Sequence, residues 1–271
     1  MDSQNNKTPN DDLLWRHLKT LPAFRAVLRA VEARFYHQIN LQEPILDLGC
    51  GDGNFAELTF NEYGRQLTVG LDPWWGPLNK SQAAEVYQDG VTQGLGDRMP
   101  FPSNHFASAI SNSVLEHIPD IQPVLNETGR VLQMGGQFVI TMPNHRFTEL
   151  LGGAQIAEKA GLDSLADQYR KGFNFICRHA HTCDVNWWGE KLATAGLQIE
   201  RWQYYFSPKA LHALEIGHAQ GLPAAIIHAL TGQWIVAPTE SNLALVDKWL
   251  RPFFLEQANQ DDPEQQGTYL I

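Results

Sequence analysis

The chain has 271 residues, 43% of them hydrophobic and 18% charged. That charged share lies below the roughly 25% of ordinary soluble domains, so apolar material for a sizeable core is plentiful. Acidic residues number 30 against 20 basic ones, a formal charge of −10, which argues against a broad basic face for nucleic acid or other polyanions.

Cys50, Cys177 and Cys183 are too few and odd in number for a disulfide framework and fit free thiols in a reducing compartment. Met1 to Asp12 is polar and acidic, unlike a signal peptide, and no run approaches the ~18 apolar residues of a spanning helix. The expectation is a cytoplasmic protein of one domain over residues 1–271.

Residues 1–10 have no apolar periodicity and are expected to lack order. Leu13, Leu14, His17 and Leu18, then Phe24, Val27, Leu28, Val31 and Phe35, fall at helical spacing. They predict two N-terminal helices within 1–40, separated at Pro22. Ile45 to Leu48 reads as a buried parallel strand that ends in glycines. Further strands are expected at Leu67–Leu71, Val91–Leu95, Ala107–Ser111 and Gln137–Met142, with a helix from Ile121 to Leu132 before the last of these. Residues 144–181 read as mostly helical. Thr182 or Asp184 is expected to cap a helix that stops at Gly196, Gln198–Phe206 reads as a sixth strand, 207–262 as helical again, and Gly267–Ile271 as a final strand. Such alternation implies a doubly wound α/β fold with a mainly parallel sheet.

The sharpest motif is Asp47-Leu48-Gly49-Cys50-Gly51-Asp52-Gly53, directly after the first strand. Glycines there let the chain turn tightly and a ligand approach without Cβ clashes. Asp72 ends the second strand about 20 residues on, where a carboxylate can take both hydroxyls of an adenosine ribose. Asp97 follows the third strand in Gly96-Asp97-Arg98-Met99-Pro100, placed to accept from an adenine amino group while Met99 packs on the ring. Each aspartate alone is a common strand-end residue. Three at successive strand ends point to a ligand, because open α/β sheets bind at those carboxyl ends. Gly51, Gly53 and Ala56 can also be fitted to a dinucleotide fingerprint, but that reading leaves Asp47 and Asp97 without a role.

These blocks resemble the class I S-adenosylmethionine-dependent methyltransferases, in the type 11, ubiquinone-biosynthesis-methylase-like group. The resembling segments are 45–53, Val69 to Asp72, Asp97 to Pro102, Ser111 to Ile118, and Arg130 to Gly136. The resemblance implies a seven-stranded Rossmann-like sheet with an antiparallel last strand. It also implies S-adenosylmethionine as cofactor, with S-adenosylhomocysteine as product, held by Asp47, Gly49, Cys50, Gly51, Asp72, Pro73, Asp97, Arg98, Met99 and Asn112. Gly49 and Gly51 would lie against the methionine part, Asp47 near its amino group and Asn112 beside it. Trp74 and Trp75, unusually bulky there, would stack on the adenine ring or fill a core gap; packing is expected. The alternatives are a non-catalytic adenosyl- or partner-binding module on the same fold, and a nicotinamide-dependent oxidoreductase.

Methyl transfer from a sulfonium needs alignment, and a base only where the acceptor must lose a proton. His117 is the candidate base, with a pocket-shaping role as the alternative. Cys177, His179, His181 and Cys183 cluster in sequence, but their spacing matches no familiar zinc site, and no metal is expected. An antiparallel final strand would place insertions 144–181 and 207–262 over the active-site edge. Leu211, Leu214, Ile216, Leu222, Ile226, Ile227, Leu230, Trp234, Trp249, Phe253 and Phe254 would then face down, with Lys209, Glu215, Lys248 and Glu256 outward. Such a roof is expected first as a cap packed on its own domain, and it also suits a small or lipid-like acceptor, peripheral membrane contact or an oligomer interface.

Overall fold

The computed structural model describes residues 12–81, 85–218, 235, 239–256 and 267–271. The readings on residues 1–10 and on Leu222, Ile226, Ile227, Leu230 and Trp234 lie outside them. Two helices come first, α1 (Leu13–Thr20) and α2 (Ala23–Tyr36). The Asp12 side chain caps α1 by accepting from the Leu14 N–H, and Pro22 occupies the break between them.

β1 (Ile45–Leu48), β2 (Val69–Asp72), β3 (Val91–Gln93), β4 (Phe106–Asn112) and β5 (Leu132–Pro143) are mutually parallel. They are joined by α3 (Asn54–Thr59), α4 (Trp75–Ser81) and α5 (Gln122–Val131). β3 stops at Gln93 rather than Leu95 because its partner β2 ends at Asp72. β5 begins earlier than expected: Leu132 pairs with Phe106, and the register then shifts so that Gln137 meets Ser108. The residues between bulge out through Gly135 at φ +75°, a conformation glycine adopts without Cβ strain.

After β5 come α6 (Arg146–Glu149), α7 (Gly152–Lys159), α8 (Asp163–Cys177) and α9 (Val185–Thr194). Asp184, not Thr182, caps α9 by accepting from the Trp187 N–H at 2.9 Å. β6 is only Tyr204–Tyr205 instead of Gln198–Phe206. It is an edge strand whose sole partner, β7 (Tyr269–Leu270), is equally short. Between them lie α10 (Pro208–His218) and α11 (Glu240–Leu255). β7 enters antiparallel between β5 and β6, giving the seven-stranded order β3-β2-β1-β4-β5-β7-β6. The expected sheet, with its antiparallel last strand, is the observed one.

Strand alternation divides the core. Leu46, Leu48, Leu71 and Ala109 pack with α5 and α9 on one face, while Ile45, Ile110 and Val139 pack with Tyr36, Ala56 and Phe60 on the other. A third apolar cluster joins α1 and α2 to α7, α8, α10 and α11. α2 belongs to both: its C-terminal end lies on the sheet, and along its length it packs against α1, α10 and α11.

Candidate functional site

β1 delivers the chain into a turn in which Gly49, Gly51 and Gly53 take φ of +81°, +56° and +74°. The N–H groups of Gly49 and Cys50 both donate to the Leu71 carbonyl, at 2.7 and 3.1 Å, which ties the turn to the end of β2. A Cβ on Gly49 would stand 2.5 Å from Val114 Cγ1, whereas one on Gly51 would meet nothing within 4 Å. The turn is therefore closed beneath Gly49 and open before Gly51. Cys50 lies against Gly70, where a Cβ would be 2.8 Å from its Sγ, so this side chain is spent on the sheet. Burial, with Asp47 and Asp72 nearby, pushes its thiol pKa up.

Asp72 is buried at the rim, its Oδ2 accepting from the Gly51 N–H at 3.0 Å and its Oδ1 from the Trp74 N–H at 2.8 Å. Each oxygen keeps lone-pair capacity for a further donor. Asp47 shares a strand face with Ile45 and accepts from the Tyr87 hydroxyl at 2.7 Å. Burial pushes its pKa up to about 7, against the lowering effect of that hydrogen bond. Pro73, Asp97 and Arg98 are exposed along the same rim. Met99 is 4% exposed and packs into the core beneath α5, so its side chain does not offer the open ring-packing surface expected of it. Arg130 fixes this segment, donating to the Met99 and Phe101 carbonyls at 3.2 and 2.9 Å. Trp74 and Trp75, expected to pack, are 72% and 54% exposed, because α4 begins beyond the end of β2.

Beyond β4 the structure assembles a polar centre that the sequence reading did not single out. Glu32 of α2 is fully buried. It accepts from Arg29 at 2.5 Å, Asn112 Nδ2 at 2.9 Å, Ser113 Oγ at 3.1 Å and Tyr205 Oη at 2.9 Å. Asn112 Oδ1 in turn accepts from Thr141 at 2.8 Å, so Asn112 joins the end of β4 to both α2 and β5. A signal was available: Arg25, Arg29 and Glu32 recur at i, i+4 and i+7 in a mostly apolar helix, which places their charge on one face.

His117 lies in a 3-10 turn, Leu115–His117, after β4. Its Nδ1 is 3.0 Å from the Arg178 carbonyl, and its side chain is 41% exposed at a groove it shares with Phe175, Arg178 and His179. Loss of hydration lowers its pKa below the usual 6.5. The neutral ring that results donates from Nδ1 to that carbonyl and keeps an acceptor lone pair on Nε2. Glu116 beside it is buried, its Oε2 has no hydrogen-bond partner, and burial pushes its pKa up to about 8.

Cys177, His179, His181 and Cys183 do not converge. Cys177 Sγ lies 3.9 Å from His218, His181 meets the Ile118 and Pro119 carbonyls, His179 packs edge-on to Phe147, and Cys183 joins the core beside α9. No group of three or more metal-ligating side chains occurs among the described residues. Among those residues, too, no helix is long and apolar enough to cross a membrane.

A family model described as a methyltransferase domain matches residues 46–140, the stretch from the glycine turn to the middle of β5. A probable chloroplastic tocopherol O-methyltransferase of Oryza sativa subsp. japonica is 32% identical over 111 residues, covering 40% of this chain and 31% of that protein. Trans-aconitate 2-methyltransferase of Azoarcus sp. strain BH72 is 26% identical over 165 residues, 59% of each chain. The match thus spans about a third of the first relative's length. In fold, the chain resembles a possible histamine N-methyltransferase from Thermotoga maritima, with a TM-score of 0.55 at 14% identity over 92% of this chain and 88% of that one. The strand order and the glycine turn are those of a Rossmann-like class I methyltransferase fold, and residues 46–140 match the methyltransferase domain family.

Proposed function

We propose that this chain binds S-adenosylmethionine at the glycine turn and directs its methyl group to a small or lipid-like acceptor beneath the helical roof. The observation that carries the reading is the open cradle before Gly51 with the Asp72 carboxylate held at its rim. A ligand backed by backbone alone can lie there, and a two-oxygen acceptor stands where an adenosine ribose would present two hydroxyls.

The bound cofactor supplies a methyl group on a sulfonium centre, an electrophile that needs alignment more than acid catalysis. Gly49 and Gly51 would flank the methionine part. Asp47, neutral or ionised near pH 7, suits the approach of its cationic amino group. Asn112 and Glu32 shape the wall on the far side. Asp97 would accept from the adenine amino group, with Pro73, Arg98 and the Met99 backbone bordering the ring. His117 would accept a proton through Nε2 only from an acceptor that must lose one; for other acceptors it shapes the wall toward α8. The roof excludes water from the transfer. The two relatives are named for a tocopherol and for trans-aconitate, so the shared domain supports the reaction class while the roof is left to choose the acceptor.

Calorimetry with S-adenosylmethionine, S-adenosylhomocysteine and NAD tests this reading. Binding of the two adenosyl ligands is expected, without NAD. Asp72→Ala should weaken it by about 2 kcal/mol, roughly 30-fold, the scale of hydrogen bonds to a charged group. Unchanged affinity in a folded Asp72→Ala protein, or preference for NAD, would overturn the reading.

A further inference from the structure

Arg25, Arg29 and Glu32 share one face of α2, and two of them fix where that face looks. Arg29 donates to Ser113 Oγ at 2.6 Å and to Glu32, which holds Asn112, so the face stands over the carboxyl end of β4. At 1.5 Å per residue Arg25 lies about 10 Å along the axis from Glu32, away from the end at which Tyr36 packs on the sheet. It is held above the strand ends, at the level of the roof, where its neighbour Phe24 meets the His218 ring of α10 at 4.3 Å.

Three other arginines of α2 and α11 are tied. Arg29 is bound to Ser113 and Glu32, Arg34 to the Phe254 and Glu256 carbonyls, and Arg251 to Asp12 and Asp247. The Arg25 side chain is exposed, and its guanidinium makes no hydrogen bond or ion pair among the described residues. Partial removal from water and the Arg29 charge lower its pKa, while Asp52 of the glycine turn and Glu32 raise it; it remains a cation. Its charge is felt at His117 and His218. It thus stands between the turn, the wall after β4 and α10, with its guanidinium donors unpaired among the described residues.

We propose that Arg25 anchors a carboxylate of the methyl acceptor, which makes that acceptor an organic or lipid-like acid held with its anionic end under α2 and α10. This rests on the methyltransferase reading. A guanidinium presents a planar fork that matches a carboxylate in two parallel hydrogen bonds. Asp52 and Glu32 temper the local field, which suits a monoanion better than a phosphate dianion. Height separates the acceptor's carboxylate from the cofactor's own. Asn112 and Glu32 border the methionine side at the strand ends, and Arg25 lies two helical turns above them.

The test follows the Arg25 Nε–Hε signal by NMR, identified by its loss in R25Q. Cinnamate, cinnamamide, decanoate and decanamide are titrated with and without S-adenosylhomocysteine. At least one acid is expected to saturate with a Kd tenfold or more below that of its amide. R25Q should weaken that acid tenfold or more and its amide less than twofold, with R25K between, and should bind S-adenosylhomocysteine within twofold of wild type. The proposal is overturned if acid and amide behave alike, or if neither acid saturates. It is equally overturned if R25Q lowers affinity for S-adenosylhomocysteine but not for 5′-methylthioadenosine, which lacks the carboxylate; Arg25 would then hold the cofactor. Failure of the wild type to bind S-adenosylhomocysteine would instead strike the methyltransferase reading, and is distinguishable because the acid titrations are also run without it.

Discussion

Two glycines of the same turn separate folding from binding. Gly49 and Gly51 both sit at positive φ, but only Gly49 has a neighbour where a Cβ would go. Gly49→Ala should therefore cost backbone strain plus a clash with Val114, about 2–4 kcal/mol of stability. Gly51→Ala should cost only the strain of a left-handed alanine, about 1 kcal/mol, yet project a methyl into the cradle. Denaturant unfolding and calorimetry on both variants check this. Gly51→Ala should lose far more adenosylhomocysteine affinity than stability, and an unchanged affinity would remove the ligand from the Gly51 side. Glu116 gives a second residue-scale test. Its folded pKa of about 8 lies above the ordinary 4.5, so the fold takes up its proton more readily than the unfolded chain does. That contribution to stability is complete below pH 4.5 and is lost as pH rises through about 8. Glu116→Gln keeps a neutral side chain at every pH. Its stability relative to wild type should rise between pH 5 and pH 8 by at least about 1 kcal/mol, on the scale of 1.4 per pKa unit. Parallel urea midpoints across that range would refute the buried, protonated assignment.

At the scale of elements, helical periodicity proved a sound guide to which residues share a face and a poor one to what lies opposite. Leu211, Leu214 and Phe254 are buried as expected, but Ile216 and Trp249 are 65% and 47% exposed. Lys209 and Lys248 point outward, whereas Glu215 turns inward. Its carboxylate accepts from the Gly152 and Gly153 N–H groups at 2.7 and 2.8 Å and from the Tyr169 hydroxyl at 2.5 Å. α7 has no side-chain cap of its own, so α10 supplies one from 63 residues away. This contact also couples α10 to α7 and α8. Glu215→Ala should cost about 1–2 kcal/mol, the range of lost caps, and should speed amide exchange in α7 more than in α5. Equal exchange in both helices would mean that α7 does not depend on this cap.

For the whole molecule, one apolar cluster unites α1, α2, α7, α8, α10 and α11. Arg34 of α2 also holds the end of α11 through the Phe254 and Glu256 carbonyls. Helices joined this way should move as a unit, and a ligand bound beside them should restrain α2 and α10 together. Adenosylhomocysteine is expected to slow hydrogen exchange in these helices more than in α5 and α9, which pack on the opposite sheet face. Protection confined to the glycine turn would show that the roof does not respond.

By itself the sequence determined the sheet and the turn. A parallel strand buried on both faces reads as an unbroken apolar run, as Ile45–Leu48 does, and a chain that must turn at positive φ announces itself as Gly49, Gly51 and Gly53. These are local demands, met by residues adjacent in the chain, and Asp72 and Asp97 followed from their places at strand ends. Strand lengths were decided elsewhere, because a ladder runs only as far as its partner; β3 and β6 stop short for that reason. The Glu32 centre, the Glu215 cap and the placement of Arg25 belonged to tertiary structure for the same cause. A buried carboxylate is tolerable only where donors converge on it, and those around Glu32 come from positions 29, 112, 113 and 205. No local pattern can announce that convergence, since its residues meet only once the sheet has brought α2, β4 and β6 to one edge.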